Sequence, residues 1–190
     1  KMQTDKRPAR FHACQEVGAG TYMFTVHVED DLPIDYQAGH VFALDLIDAH
    51  GKTLHKPYTV IDTDVKQRLI SFVFRLIPDG KMTPRLVSAN TETTFAFSGK
   101  FHEPIIDEIA VDAQCFIGIC TGSGIGPLYG FLKNELANIS IPVHLLAGYR
   151  HAVDRCFVAE LDALEEEHEH FQWQSCLSQA DESWRGLRGR

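Results

Sequence analysis

Residues 115–136 read CFIGICTGSGIGPLYGFLKNEL: an apolar run, a turn with three glycines, and a run with helical spacing. Cys115 to Cys120 has the composition of a strand buried on both faces. Gly122, Gly124 and Gly126, with Ser123 between them, keep large side chains off the turn, so a ligand's phosphates can approach the backbone. Pro127 suits the first turn of a helix, and Leu128, Phe131, Leu132 and Leu136 give that helix one apolar face. Its N-terminus offers unpaired N–H groups and the positive end of the dipole. A plain tight turn is the alternative, and the strand before it and the helix after it weigh against that.

Two other glycine motifs are excluded. A P-loop needs Lys and Ser/Thr after its last glycine, and no lysine follows until Lys133. The ordinary dinucleotide fingerprint needs a glycine where Pro127 stands and an acid after the second strand, where Tyr149 and Arg150 follow Val143–Gly148 instead.

The strands and helices around this stretch divide the chain in two. Before it, alternation marks strands at Thr21–Glu29 (Phe24, Val26, Val28), His40–Ile47 (Phe42, Leu44, Leu46), Leu69–Ile77 (Ile70, Phe72, Phe74) and Thr93–Phe97. Turn residues separate them, and this spacing predicts a closed antiparallel β-barrel of about six strands. After about residue 108 the pattern becomes βαβαβ: Cys115–Cys120, a helix from Pro127, Val143–Gly148, a helix near Asp154–Glu166, and Phe171–Leu177. The expected domains are a barrel over residues 1–108 and a parallel-sheet α/β domain over 109–190. The α/β pattern breaks off at Arg190, so the C-terminal end of that domain is expected to be missing.

Composition narrows the function. With 190 residues, 44% of them hydrophobic, there is enough chain to bury two cores. A net charge of -8 argues against a nucleic-acid partner, and no apolar run reaches the roughly 20 residues of a membrane span. The five cysteines lack metal-site spacing and read as reduced core residues of a cytoplasmic protein. The run EEEHEH at 165–170 reads as a solvated helix end, and no metal site is expected.

Two stretches of the barrel carry chemistry. Lys56-Pro57-Tyr58-Thr59 places a cation, a rigid residue, a phenol and a hydroxyl together, a set able to hold a phosphate and lie against a flat ring. Gly80-Lys81-Met82-Thr83 can open a helix onto a second phosphate. An ordinary strand start and an ordinary hairpin turn are the respective alternatives.

Taken with Thr121-Gly122-Ser123-Gly124-Ile125-Gly126-Pro127, these motifs resemble, in the right order and over nearly the whole chain, the ferredoxin–NADP reductase-like flavoproteins. The resemblance implies a six-stranded Greek-key flavin barrel followed by an NAD(P)-binding domain. FAD and either NADH or NADPH are then the cofactors. Tyr58 would stack on the flavin and Thr59 would hydrogen-bond beside its ring. Lys56, Pro57, Gly80, Lys81, Met82 and Thr83 would hold the flavin, chiefly its pyrophosphate. Thr121 would face the nicotinamide, Gly122 to Pro127 would follow the nucleotide, and Arg150 and Ser178 would take its far end. Lys56 stands where the family has Arg and loses the bidentate fork. Gln179 stands where NADPH-using members tend to have Arg. Arg150 and Arg190 match basic positions of NADPH enzymes, and Trp184-Arg185-Gly186 with Gly189 resembles NADH-linked ones, so the balance leans to NADH. The implied activity is an NAD(P)H oxidoreductase feeding a separate iron–sulfur, flavodoxin or haem acceptor protein. A flavin-carrying subunit with little catalysis of its own is the alternative.

Overall fold

The computed structural model describes residues 6–47 and 50–189. Six strands, β1 (Arg7–Gly18), β2 (Thr21–Val28), β3 (Val41–Ile47), β4 (Thr53–Asp64), β5 (Leu69–Arg75) and β6 (Thr94–Ser98), close into a barrel in the order β1-β2-β5-β4-β3-β6. Every barrel pairing is antiparallel, and the order is that of a Greek key. Alternation explains the closure, because β2, β3, β5 and β6 send alternate large apolar side chains inward. Phe24, Phe42, Phe72, Phe97, Leu44 and Ile70 meet there, all at 0–1% exposure. Phe24 lies 5.3 Å from Phe72 and Phe42 lies 5.5 Å from Phe72, both within the range of favourable aromatic contacts. A short helix, α1 (Thr83–Val87), adds Leu86 to the same core.

The second unit is a parallel sheet in the order β10-β9-β8-β7, built from β7 (Phe116–Thr121), β8 (Val143–Tyr149), β9 (Phe171–Leu177) and β10 (Leu187–Arg188). Helices α2 (Ile125–Glu135) and α3 (Val158–Glu167) bury Leu145, Ala147 and Trp173 from one side. Here the structure corrects the sequence reading. The strand Phe116–Thr121 is not buried on both faces, since Ile117 and Ile119 are 64% and 71% exposed. It is the outermost strand of the sheet, and those residues point to the face that α2 and α3 do not cover. The cysteine reading also needs correcting, because all five thiols are free but only Cys156 is buried, and Cys115 is exposed.

The two units share an apolar interface. Helix α2 lies across β4 and β5, and Gly126 and Gly130 let it approach closely. A Cβ at Gly126 would stand 3.0 Å from Val73 Cβ, and one at Gly130 would stand 1.8 Å from the Ile61 carbonyl oxygen. Lys133 forms an ion pair with Asp62 along the same seam. On the other side the β1–β2 turn meets the loop after β8, where Ala19 N–H donates to Val153 O at 2.8 Å and Gly18 leaves room for Cys156.

Candidate functional site

The barrel site starts from β4. Residues Thr53–Thr59 pair with β3 alone, and only from Val60 onward does β4 also pair with β5. Lys56 to Thr59 therefore lie mid-strand, not at a strand start, on a backbone edge with no strand partner among the described residues. Pro57 has no N–H to donate and is tolerated there. Lys56 and Pro57 are exposed, while Tyr58 and Thr59 are half-buried. The Tyr58 ring rests on Phe72, with centroids 4.4 Å apart. Burial pushes its phenol up to about 12, so it stays a neutral donor throughout the neutral range.

This shift has a testable sign. A phenol whose pKa is raised on folding contributes stability that is fully present below its ordinary value near 10 and is lost as pH rises through about 12. The tyrosinate absorbance missing from Tyr58→Phe, measured as a difference titration, is expected near pH 12; a step near 10 contradicts this burial.

The second barrel motif is used partly for its own fold. Gly80 N–H donates to Ile77 O at 2.8 Å, and a Cβ at Gly80 would meet that oxygen at 2.9 Å. The Thr83 hydroxyl accepts from Ile77 N–H at 2.9 Å. Met82 turns into the barrel core at 3% exposure, so its side chain is core packing, while Lys81 is exposed.

The other half of the site lies at the C-terminal ends of β7, β8 and β9, where open parallel sheets place their ligands. A cavity of about 630 Å³ is lined there by Thr121, Gly122, Arg150 and Ser178, which the sequence had pointed to separately. Gly122 has φ +53, in the left-handed region, and nothing lies within 4 Å of the Cβ it lacks. The space above Gly124 is also open, its nearest neighbour being Cys120 Cβ at 3.8 Å. Ser123 lies in the same short 3-10 turn, Gly122–Gly124, which leads into α2. Gly126 belongs elsewhere, since it faces Val73 and Ile61 and serves the domain interface, while Pro127 sits in the first turn of α2. Arg190 lies outside the described residues.

Two residues of the cavity, Arg75 and Cys120, escaped the sequence reading. Arg75 reaches it from the barrel and pairs with Asp154 at 3.7 Å. Asp154 also accepts from His151 N–H at 3.0 Å, fixing the loop after β8. Cys120 and Tyr149 line the cavity too. Burial pushes the Cys120 thiol up to about 12 and raises the Tyr149 phenol, so neither is an anionic nucleophile at neutral pH. The same loop ends at Phe157, buried with φ 57 and stacked on Tyr129 at 4.2 Å and 11°. A left-handed bulky residue costs on the order of 1–2 kcal/mol, and the stack helps hold it in place. No sequence signal marks Arg75. Gly130 was missed as well, although its place four residues after Gly126 puts two small residues on one helix face and could have marked it.

The glycines, the open β4 edge and the cations at both sites suit a flavin nucleotide and a nicotinamide nucleotide. Comparison with known proteins agrees. The family model for the oxidoreductase FAD-binding domain matches residues 8–103, more than half of the chain, and that for the oxidoreductase NAD-binding domain matches residues 119–190. One subunit of the Na(+)-translocating NADH-quinone reductase of Idiomarina loihiensis is 30% identical over 118 residues, covering 60% of this chain and 28% of that protein. NADH-cytochrome b5 reductase 2-B of Vanderwaltozyma polyspora is 30% identical over 83 residues, covering 44% and 26% respectively. The chain thus spans about a quarter of the length of these relatives. Among solved structures, the CS-b5R domains of human Ncb5or in the NAD+ form superpose with TM-score 0.84 at 19% identity, covering 100% of this chain and 56% of that one. A ferredoxin NADP+ reductase from Neisseria gonorrhoeae with bound FAD and NADP gives 0.81 at 18% identity, covering 99% and 74%. At such identities these superpositions speak for the fold alone.

Proposed function

The chain belongs to the ferredoxin–NADP reductase-like flavoproteins, and from that premise we propose that it is an FAD-dependent NAD(P)H oxidoreductase passing electrons to a separate acceptor protein. One observation carries the reading: β5 serves both sites. Phe72 supports Tyr58 from inside the barrel, while Val73 and Arg75, on the opposite face of the strand, meet Gly126 and Asp154. A ring on Tyr58 and a nucleotide along the glycine turn then approach each other across one strand. Residues 1–108 form the flavin domain in this reading, and 109–190 the nucleotide domain.

The roles follow from the chemistry of each group. Tyr58 gives the flavin a face to stack on, and Thr59 a hydroxyl at the edge of its ring. Lys56 and Lys81 bring cations to its pyrophosphate, with Met82 and Thr83 contributing backbone N–H groups, Gly80 shaping the turn that presents them and Pro57 holding the edge open. Thr121 stands at the nicotinamide end of the cavity. Gly122, Ser123 and Gly124 lay their backbone along the pyrophosphate, next to the positive end of α2. Arg150 and Ser178 receive the adenosine end. When bound, FAD takes up a hydride's two electrons and releases them one at a time, chemistry that lies in the cofactor. The chain's own task is to align the two rings and keep water from between them, and no acid–base side chain is needed for that. The acceptor is then a ferredoxin, a flavodoxin or a haem protein.

A second reading is favoured by the relatives that are themselves parts of a larger reductase and by Lys56, a point charge where a forked guanidinium would grip more firmly. In it the chain is a flavin-carrying electron-transfer subunit with little turnover alone. The five free cysteines fit a reducing, cytoplasmic setting. No helix among the described residues is long and apolar enough to cross a membrane.

An anaerobic absorbance spectrum tests both readings. The first expects a flavin band that bleaches within seconds of adding NADH or NADPH. A band that neither nucleotide bleaches leaves the subunit reading, and no band after FAD is supplied overturns both.

A further inference from the structure

Just before β3 lies a tight turn, Gln37-Ala38-Gly39-His40, that belongs to neither cofactor site. His40 N–H donates to Gln37 O at 3.1 Å, and Gly39 takes φ +101 at the third position, as a type II turn requires. The turn ties three parts of the molecule together. Gly39 N–H donates to Val60 O at 3.0 Å and Val60 N–H donates to His40 O at 2.8 Å, so both backbone groups of Val60 end on it. Val60 follows Tyr58 and Thr59 directly, where β4 passes from β3 to β5. On the other side Ile105 N–H donates to Ala38 O at 3.1 Å, which brings in the segment joining the two units. A Cβ at Gly39 would stand 2.6 Å from that nitrogen.

The His40 side chain closes the turn on itself. Its Nδ1 lies 2.8 Å from Gln37 N. A backbone N–H only donates, so Nδ1 is the acceptor, the ring proton sits on Nε2 and the imidazole is neutral. Protonation would set an Nδ1–H against the Gln37 N–H, donor facing donor, in a residue only 4% exposed. The charged groups around the ring do not reverse this. Burial is the largest influence and, with Lys100 after β6, holds the imidazole below its ordinary value, against Asp35 on the same loop, Glu103 after β6 and Asp107 in the turn Ile105–Glu108. Asp35 is itself engaged by Lys100 at 2.7 Å. Tyr36 meets the ring edge-on at 6.2 Å and donates its hydroxyl to Gly99 O at 3.0 Å.

Resting on the flavin reading above, we infer that His40 is a positioning residue for the flavin strand, and that only its neutral form keeps the turn Gln37–His40 closed. It acts through Val60 on Tyr58 and Thr59. A histidine whose pKa is lowered on folding contributes stability that is fully present above its ordinary value near 6.5 and is lost as pH falls through the folded value. In acid the turn opens, Val60 loses two backbone partners, and the hold on the flavin loosens.

Flavin release from the purified holoprotein, followed as the rise in free-flavin fluorescence after dilution at pH 8 and at pH 5, tests this. A lost buried hydrogen bond weakens an equilibrium by roughly five- to a hundredfold, so release is expected to be at least about fivefold faster at pH 5. His40→Asn places Oδ1 where Nδ1 stands and does not titrate; its two rates are expected to agree within about twofold. His40→Leu has no acceptor and is expected to release quickly at both pH values. Release no faster at pH 5 in the wild type overturns the inference, and so does an acid response that persists in His40→Asn. The melting temperature reads the turn without the flavin: the wild type is expected to lose more of it between pH 8 and pH 5 than His40→Asn, and equal losses overturn the titrating turn. A chain that holds no flavin at either pH overturns the flavin reading and the positioning role that rests on it, whatever the melting temperatures show.

Discussion

Tyr58→Ala is expected to emerge from purification with less than a tenth of the wild-type flavin while keeping its fold. Base–aromatic stacking is worth about 1–3 kcal/mol, and each 1.4 kcal/mol is about tenfold in Kd, so the weakening reaches roughly a hundredfold at the upper end. The ring is supported from below by Phe72 at 4.4 Å, with Phe42 and Phe74 each at 6.5 Å. Removing it takes away a flat platform and leaves a gap over those phenylalanines. The gap costs stability as well, about 2–3 kcal/mol for a half-buried aromatic. Tyr58→Phe and Tyr58→Leu separate the two effects. Phe keeps the platform and is expected to keep the flavin, whereas Leu fills much of the gap and is expected to lose it. Full flavin content in Tyr58→Ala, measured as the ratio of the flavin band to protein absorbance, sinks the placement of the flavin on this strand.

The barrel and the sheet were legible where burial follows one period. Phe24, Val26 and Val28 alternate inward as their spacing predicts, and Val143, Leu145, Ala147 and Tyr149 do the same in β8. Strand β1 gave no such signal. Of its twelve residues only Ala9 is buried, because β1 divides its length between β2 and β6 and turns mostly polar side chains outward. Residues 115–120 misled in the opposite direction. Their apolar composition suggests two buried faces, yet the edge position of β7 leaves Ile117 and Ile119 open.

The candidate site shows the same limit. Lys56 to Thr59 and the glycine turn are local motifs, so they were readable as local motifs. Arg75 and Asp154 are seventy-nine positions apart in sequence and meet only because the loop after β8 docks against the end of β5. What the glycines do was only half legible. Gly122 and Gly124 border open space as a ligand loop requires, whereas Gly126, in the same motif, is pressed against Val73. One motif thus carries two duties, a nucleotide turn and a domain contact, and its spacing alone does not separate them.

That double duty leads to the second large effect. Gly130→Ala is expected to lower stability by about 2–3 kcal/mol and to slow nucleotide-driven flavin reduction at least tenfold, with the flavin still bound. Alanine in a helix interior is favoured over glycine by about 1 kcal/mol, so propensity alone predicts the opposite sign. The added methyl, however, would stand 1.8 Å from the Ile61 carbonyl oxygen and 2.6 Å from its carbonyl carbon. Those are backbone atoms of β4 and have no rotamer to yield. Helix α2 must move away by more than an ångström, opening the contact of Gly126 with Val73 and the Lys133–Asp62 pair. Overpacking of this kind typically costs 1–3 kcal/mol and occasionally more, and against an unyielding carbonyl it outweighs the helical gain. Because the glycine turn is continuous with α2, the nucleotide loop moves with it, and a misplacement of about 1 Å can cost on the order of 100-fold in rate. Gly126→Ala meets a side chain at 3.0 Å instead and is expected to be milder on both counts. Wild-type reduction kinetics together with an unchanged melting temperature in Gly130→Ala would mean that α2 does not bear on β4 in solution, and that the barrel does not set the nucleotide's approach.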